Sequence, residues 1–169
     1  MARFSLLIDN DLCFDCKACE VACKQENNVA EGLRWIRVIP VGPVKVGENL
    51  VCKFIPSTCH HCARPACVEA CPVSAIHKRS DGIVLVDPDL CFGCGACIPA
   101  CPFSVIGINP QSGVAEKCTL CAHRVEQGLI PACVMHCEAG AIYFGDINDI
   151  SQQMREDRTQ RASEPHYGG

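Results

Sequence analysis

Seventeen of the 169 residues are cysteine, and sixteen of those fall into four groups of four. Cys13, Cys16, Cys19 and Cys23 are spaced C-x2-C-x2-C-x3-C, and Cys91, Cys94, Cys97 and Cys101 repeat that spacing. Between them, Cys59, Cys62, Cys67 and Cys71 run C-x2-C-x4-C-x3-C. The last group, Cys118, Cys121, Cys133 and Cys137, runs C-x2-C-x11-C-x3-C. Thiols this dense serve as disulfides, as structural zinc ligands or as ligands to iron–sulfur clusters.

The repetition extends past the sulfurs. "DLCFDCKACEVAC" from Asp11 aligns with "DLCFGCGACIPAC" from Asp89, and "PACVEACPVSAI" from Pro65 aligns with "PACVMHCEAGAI" from Pro131. The fourth group is therefore the second with a longer insert, Ala122 to Pro131, and a zinc site would have no reason to copy its neighbour's closing segment. Three cysteines at C-x2-C-x2-C wrap a loop around one 4Fe–4S cube, while the fourth points to a neighbouring cube and is often followed by proline. Pro72 follows Cys71 and Pro102 follows Cys101, whereas Glu138 follows Cys137. Spacing and compartment together favour iron–sulfur clusters over zinc or disulfides.

The elements that must hold these loops are short. Helices are expected after each fourth cysteine, Lys24 to Asn28 being one. Between the second and third groups, "PVSAIHKRSDGIVLVDPDL" gives a turn at Ser80-Asp81-Gly82 and a strand over Ile83 to Val86. "LRWIRVIPV" and "NLVCKFIPS" are strand-like runs, joined through Gly42-Pro43 and Gly47-Glu48-Asn49 into a long hairpin. Trp35 and Phe54 belong to its core, and Cys52, the seventeenth cysteine, is expected there as a buried, inert thiol. The polar end, Ser151 to Gly169, is expected to be frayed and solvated.

Cysteine inflates the hydrophobic share of 49%, and aromatics supply only 5%, so metal cross-links must supplement a thin core. The net charge of −4, with no basic block, argues against nucleic acid as a partner. No stretch approaches a membrane span, and the apolar run Phe4 to Ile8 is too short for a signal sequence, so a cytoplasmic, thiol-reducing setting is expected. No catalytic constellation is present, and the cysteine groups are complete without His60, His61 or His136. Arg64, Lys117 and Arg124 stand beside cysteines and are expected to offset cluster charge.

On all sixteen cysteines, on "CHHCARPAC" and "CTLCAHRVEQGLIPAC", and on the Trp35-to-Ile55 segment, the chain resembles the four-cluster iron–sulfur subunits of the dimethyl-sulfoxide-reductase type over residues 5–147. The resemblance implies an α+β fold of two bacterial-type 2[4Fe-4S] ferredoxin-like units, one nested within the other. The outer unit would take 1–28 with 113–147 and the inner unit 57–112, with 29–56 a β-hairpin connector and 148–169 a polar C-terminal tail. It implies four [4Fe-4S] clusters, held by Cys13, Cys16, Cys19 and Cys137; by Cys23, Cys118, Cys121 and Cys133; by Cys59, Cys62, Cys67 and Cys101; and by Cys71, Cys91, Cys94 and Cys97. Two sequential ferredoxins would satisfy the cysteine count equally, and the nesting rests on the resemblance.

The implied role is electron relay between a large Mo/W-pterin catalytic subunit, of aldehyde oxidoreductase or formate dehydrogenase type, and a further redox subunit, flavin- or quinone-linked. A free polyferredoxin carrier, or an electron-supply protein for a hydrogenase or carbon monoxide dehydrogenase, is the alternative. The insert "AHRVEQGLIP" is expected to contact a partner.

Overall fold

Strand β1 (Phe4–Ile8) finds its partner at the far end of the chain. It pairs antiparallel with β8 (Ile142–Asp146), in a register running from Phe4 opposite Asp146 to Ile8 opposite Ile142. The computed structural model describes residues 3–164. Leu6 and Ile142 face the core from this ribbon, and Phe4 stacks on Phe144 with ring centroids 5.5 Å apart.

Helix α1 (Ala18–Glu26) carries Cys19 and Cys23 and packs against α5 (Ala132–Met135), which carries Cys133. It starts two cysteines earlier than expected, ahead of Cys19, and ends at Glu26. Pro65 and Pro131 likewise precede the four-residue helices α2 (Ala66–Glu69) and α5, and α3 (Cys97–Ala100) stops at Cys101. The helices thus span the third-to-fourth cysteine interval instead of following it. C-x3-C places two thiols about one turn apart, and the helix is what sets that separation. A further turn, α4 (Ala122–Val125), occupies the start of the fourth group's insert.

The long hairpin forms as expected from β2 (Ile36–Val46) and β3 (Asn49–Thr58). Gly42 and Pro43 lie inside β2, not in its turn, where the register shifts between Val41 and Val44. Its base is anchored: Ile36 and Val38 are core residues, with Trp35 and Phe54 packed against them. Buried Glu20 of α1 accepts the Val38 N–H at 2.7 Å and pairs with Arg34 at 3.1 Å. Beyond the bulge the ribbon leaves the core, and Cys52 is exposed, contrary to the expected burial. An apolar strand buries its side chains only where something covers it.

Strand β4 (Ile76–Lys78) pairs with β5 (Val84–Val86), and β6 (Gly107–Ile108) pairs with β7 (Ala115–Glu116). Ile76, Val84, Cys97, Ile106 and Ala115 form a second small core between them.

The chain's end corrects another expectation. Residues 151–163 are not frayed: α6 (Ile147–Ser163) is helical over its full polar length, while 165–169 lie outside the described residues. Asp146 caps it by accepting the Asn148 N–H, and Ile150 is buried. Arg158 and Arg161 both reach Asp9, which is fully buried beside β1. Tyr143 of β8 adds a 2.9 Å hydrogen bond to Asp157. No described helix is long and apolar enough to cross a membrane.

Candidate metal centres

Four C-x2-C loops share one backbone device. The residue just before the second cysteine has positive φ in every loop: Asp15 at 65°, His61 at 43°, Gly93 at 74° and Leu120 at 56°. Left-handed backbone reverses the chain tightly and turns successive N–H groups to one side, forming an anion-binding concavity. Accordingly the His61 N–H donates to Cys59 Sγ at 3.5 Å and the Leu120 N–H to Cys118 Sγ at 3.3 Å. Elsewhere the Ala115 N–H donates to Cys91 Sγ at 3.4 Å and the Ala141 N–H to Cys137 Sγ at 3.3 Å. A second positive φ falls three residues past the fourth cysteine at Ser74, Ser104 and Gly140. Only the glycines signal this geometry in the sequence. Asp15, His61, Ser74, Ser104 and Leu120 carry no such mark.

The structure brings the sixteen thiols into four groups drawn from distant parts of the chain. Cys19 has Cys137, Cys16 and Cys13 as neighbours, and the four line one cavity walled by Val38, Pro56 and Ile142. Cys23 lies among Cys118 and Cys121, and Cys133 faces the same three. Cys59 and Cys67 share Cys62 and Cys101, and those four line a second cavity with Phe103 and Lys117. Cys97 has Cys91, Cys94 and Cys71 around it. Two groups come near each other at Cys118 and Cys59, close enough for Cys59 to raise the Cys118 thiol.

Electrostatics make these groups unstable as free thiolates. Burial, reinforced by Cys137, pushes the Cys19 thiol up to about 11. Burial, then Cys59, pushes Cys118 up to about 11, and burial raises Cys23 and Cys133 strongly as well. Cys71 moves the other way: burial opposes ionisation there, but the N–H groups of Ile76, Val73, Ala75 and Ser74 outweigh it. Crowded, buried thiols of this kind ionise when a metal supplies the opposing charge.

The arrangement fits a polynuclear cluster. Among the described residues no three His, Cys, Asp or Glu side chains converge closely enough to hold one metal ion, as tetrahedral zinc requires. Two of the four groups instead line cavities. His61 adds an orphaned donor: the Val84 N–H donates to its Nδ1 at 2.9 Å, so its proton sits on Nε2, which is buried without a protein partner. Burial keeps this ring neutral, holding His61 down to about 3. His60 is exposed and packs on Phe103 with centroids 4.0 Å apart, and His136 Nδ1 lies 3.0 Å from the Ala132 carbonyl.

Of the three expected charge-offsetting cations, Lys117 alone is buried beside the cysteines. Arg64 is exposed. Arg124 does not serve as expected: it donates to Glu26 at 2.8 Å and to the Ile130 carbonyl at 2.9 Å, fastening the insert to α1. His123 Nε2 lies 2.8 Å from the same Glu26.

Loops of left-handed backbone closing on cysteine groups, two of them followed by short two-stranded ribbons, define a ferredoxin-type 4Fe–4S protein. Residues 50–147 match the family of the 4Fe-4S dicluster domain, and residues 10–28 match a 4Fe-4S binding domain. A protein of Halobacterium salinarum assigned as an iron–sulfur subunit of dimethyl sulfoxide reductase is 41% identical, over 88% of this chain and 68% of the relative. A tetrathionate reductase subunit of Salmonella typhimurium is 43% identical over 87% of this chain, which spans only 59% of that longer relative. The thiosulfate reductase electron transfer subunit of Salmonella typhi is 38% identical over 98% of this chain and 88% of its own length. The chain belongs to the iron–sulfur electron-transfer subunits of the dimethyl-sulfoxide-reductase type, and its cofactors are 4Fe–4S clusters.

Proposed function

We propose that the chain relays single electrons through four [4Fe-4S] clusters, between a large pterin-bound molybdenum or tungsten catalytic subunit and a second redox partner. Cys13, Cys16, Cys19 and Cys137 hold one cluster, and Cys23, Cys118, Cys121 and Cys133 hold its neighbour in the outer unit. Cys59, Cys62, Cys67 and Cys101 hold the third, and Cys71, Cys91, Cys94 and Cys97 the fourth, in a nested inner unit. The single observation carrying this reading is the grouping itself, in which each set joins three cysteines of one motif to one from elsewhere in the sequence.

When bound, each cluster supplies one-electron redox chemistry with all irons capped by thiolate. The chain's part is to fix the thiols, aim backbone N–H groups at sulfur and exclude water. Those are the levers that set a cluster's potential.

Two kinds of catalytic partner are supported by different observations. The relatives' names point to reductases of sulfur compounds. An aldehyde oxidoreductase or formate dehydrogenase partner, in a cytoplasmic setting, rests on the sequence resemblance alone. Purifying the native complex under anaerobic conditions tests the proposal. About sixteen irons per chain, a co-eluting large subunit containing molybdenum or tungsten, and a fixed stoichiometry are expected. A chain eluting alone would make it a free carrier, and zinc in place of iron would overturn the cluster assignment.

A further inference from the structure

Lys117 is 2% exposed, one of the most deeply buried large side chains in the molecule. Its ammonium donates to the Val84 carbonyl and, at 3.1 Å, to the Cys118 carbonyl. Among the described residues no carboxylate lies within ion-pair distance of it. A lone ion taken out of water stays strongly disfavoured even after relaxation, so buried charges are paired or placed against metal centres. Two carbonyl dipoles do not neutralise an ammonium. The groups facing it are sulfurs and the neutral ring of His61: Lys117 bears on Cys59, Cys67 and Cys118, and lines the cavity shared by Cys59, Cys62, Cys67 and Cys101.

Neutral thiols cannot serve as the counter-ion. Four thiolates around an oxidised 4Fe–4S core can, at a formal charge of about −2. We infer that Lys117 is the built-in counter-ion of the cluster held by Cys59, Cys62, Cys67 and Cys101, and that its ammonium raises that cluster's reduction potential more than that of any other cluster. The inference rests on the ligand assignment proposed above. Reduction adds one electron, delivered by a neighbouring cluster or a mediator, and no proton need move. The added negative charge is held in the field of a cation that solvent does not screen, where Coulombic effects are strongest.

Position makes the effect selective. Lys117 precedes Cys118, a ligand of the adjoining group, at the point where Cys118 and Cys59 approach each other. It therefore marks the crossing between the two cysteine groups, where a potential difference would bias electron residence. The other cations near cysteine are screened or already engaged. Lys78 donates to the Cys62 and Ala63 carbonyls from a partly exposed site, and Lys17 pairs with Asp15 at 2.5 Å.

An EPR-monitored redox titration of the purified complex tests this, with iron counted on each sample. K117M and K117Q are expected to keep their iron and to lower one cluster's midpoint by a tenfold or greater change in its oxidised-to-reduced ratio, about 59 mV for one electron. K117Q retains amide donors, so a drop in K117Q separates charge from hydrogen bonding, and K78M is expected to leave all four midpoints in place. An iron-replete K117Q with four unchanged midpoints, or with four equal shifts, overturns the inference while leaving the ligand assignment standing. A wild-type complex without iron would overturn the assignment itself, and the inference with it.

Discussion

Asp15, His61, Gly93 and Leu120 occupy the same place in four loops, yet only one of them is glycine. The reason lies in what stands beside each. A Cβ on Gly93 would lie 2.0 Å from the Gly113 carbonyl oxygen, a distance no packing adjustment absorbs without moving backbone. Gly95, at the same φ of 74°, has nothing nearer than Ile98 Cδ1 at 3.9 Å. The two positions separate conformational cost from steric cost. Gly95→Ala should lose only the left-handed penalty, on the order of 1–2 kcal/mol. Gly93→Ala should lose that and an overpacking cost of roughly 1–3 kcal/mol more. Thermal unfolding of the two iron-loaded variants, run anaerobically, checks the order, and equal losses would mean that the Gly113 carbonyl yields freely. At the other loops, Asp15 pairs with Lys17 and Leu120 fills the core, so side chains there offset some of the backbone strain.

The elements are unevenly legible in the sequence. Cysteine spacing is a strong signal because ligand geometry is rigid, and it locates every loop; alternating β-branched residues locate β2 and β3. Helix α6 escapes such a reading because its inner face is charged. Arg158 and Arg161 reach inward to Asp9 across about 150 residues of sequence, a pairing with no local trace. Cys52 misleads for the opposite reason, since apolarity alone does not supply a covering element. Asp9 also gives α6 a pH dependence. The Arg158 hydrogen bond holds its carboxyl below the ordinary 3.8, against the opposing effect of burial. A depressed carboxylate contributes its stability in full above the unfolded value and loses it as pH falls through the folded one. Asp9→Asn should therefore release α6 at neutral pH, at a cost of about 1–3 kcal/mol, reduced from the fully buried case because both arginines are part-exposed. Hydrogen exchange of the α6 amides, corrected for intrinsic rates, should show wild-type protection fading only below about pH 4 and D9N protection low throughout. Unchanged protection in D9N would assign the helix's anchoring to Ile150 and Tyr143 instead.

At the scale of the whole molecule, the first elements of the chain find their partners only near its end. Strand β1 waits for β8, α1 for α5, and Asp9 for α6, while β4 to β7 form within the intervening sequence. The two sets of elements are then stitched together: the Phe4 N–H donates to the Asp81 carbonyl at 2.9 Å, Arg79 pairs with Glu126, and Lys117 holds Val84. A sequential pair of ferredoxins would instead complete its first cluster with Cys71 and give Cys137 to Cys91, Cys94 and Cys97. The two arrangements differ in which cysteines act as a unit, and units are detected by non-additivity. In the nested arrangement Cys16 and Cys137 serve the same cluster, so Cys16→Ala with Cys137→Ala should remove no more iron than the worse single variant. About twelve of sixteen irons should then remain, with three EPR-active clusters of unaltered line shape. The sequential arrangement predicts additive losses and about eight irons, because two different clusters would each lose a ligand.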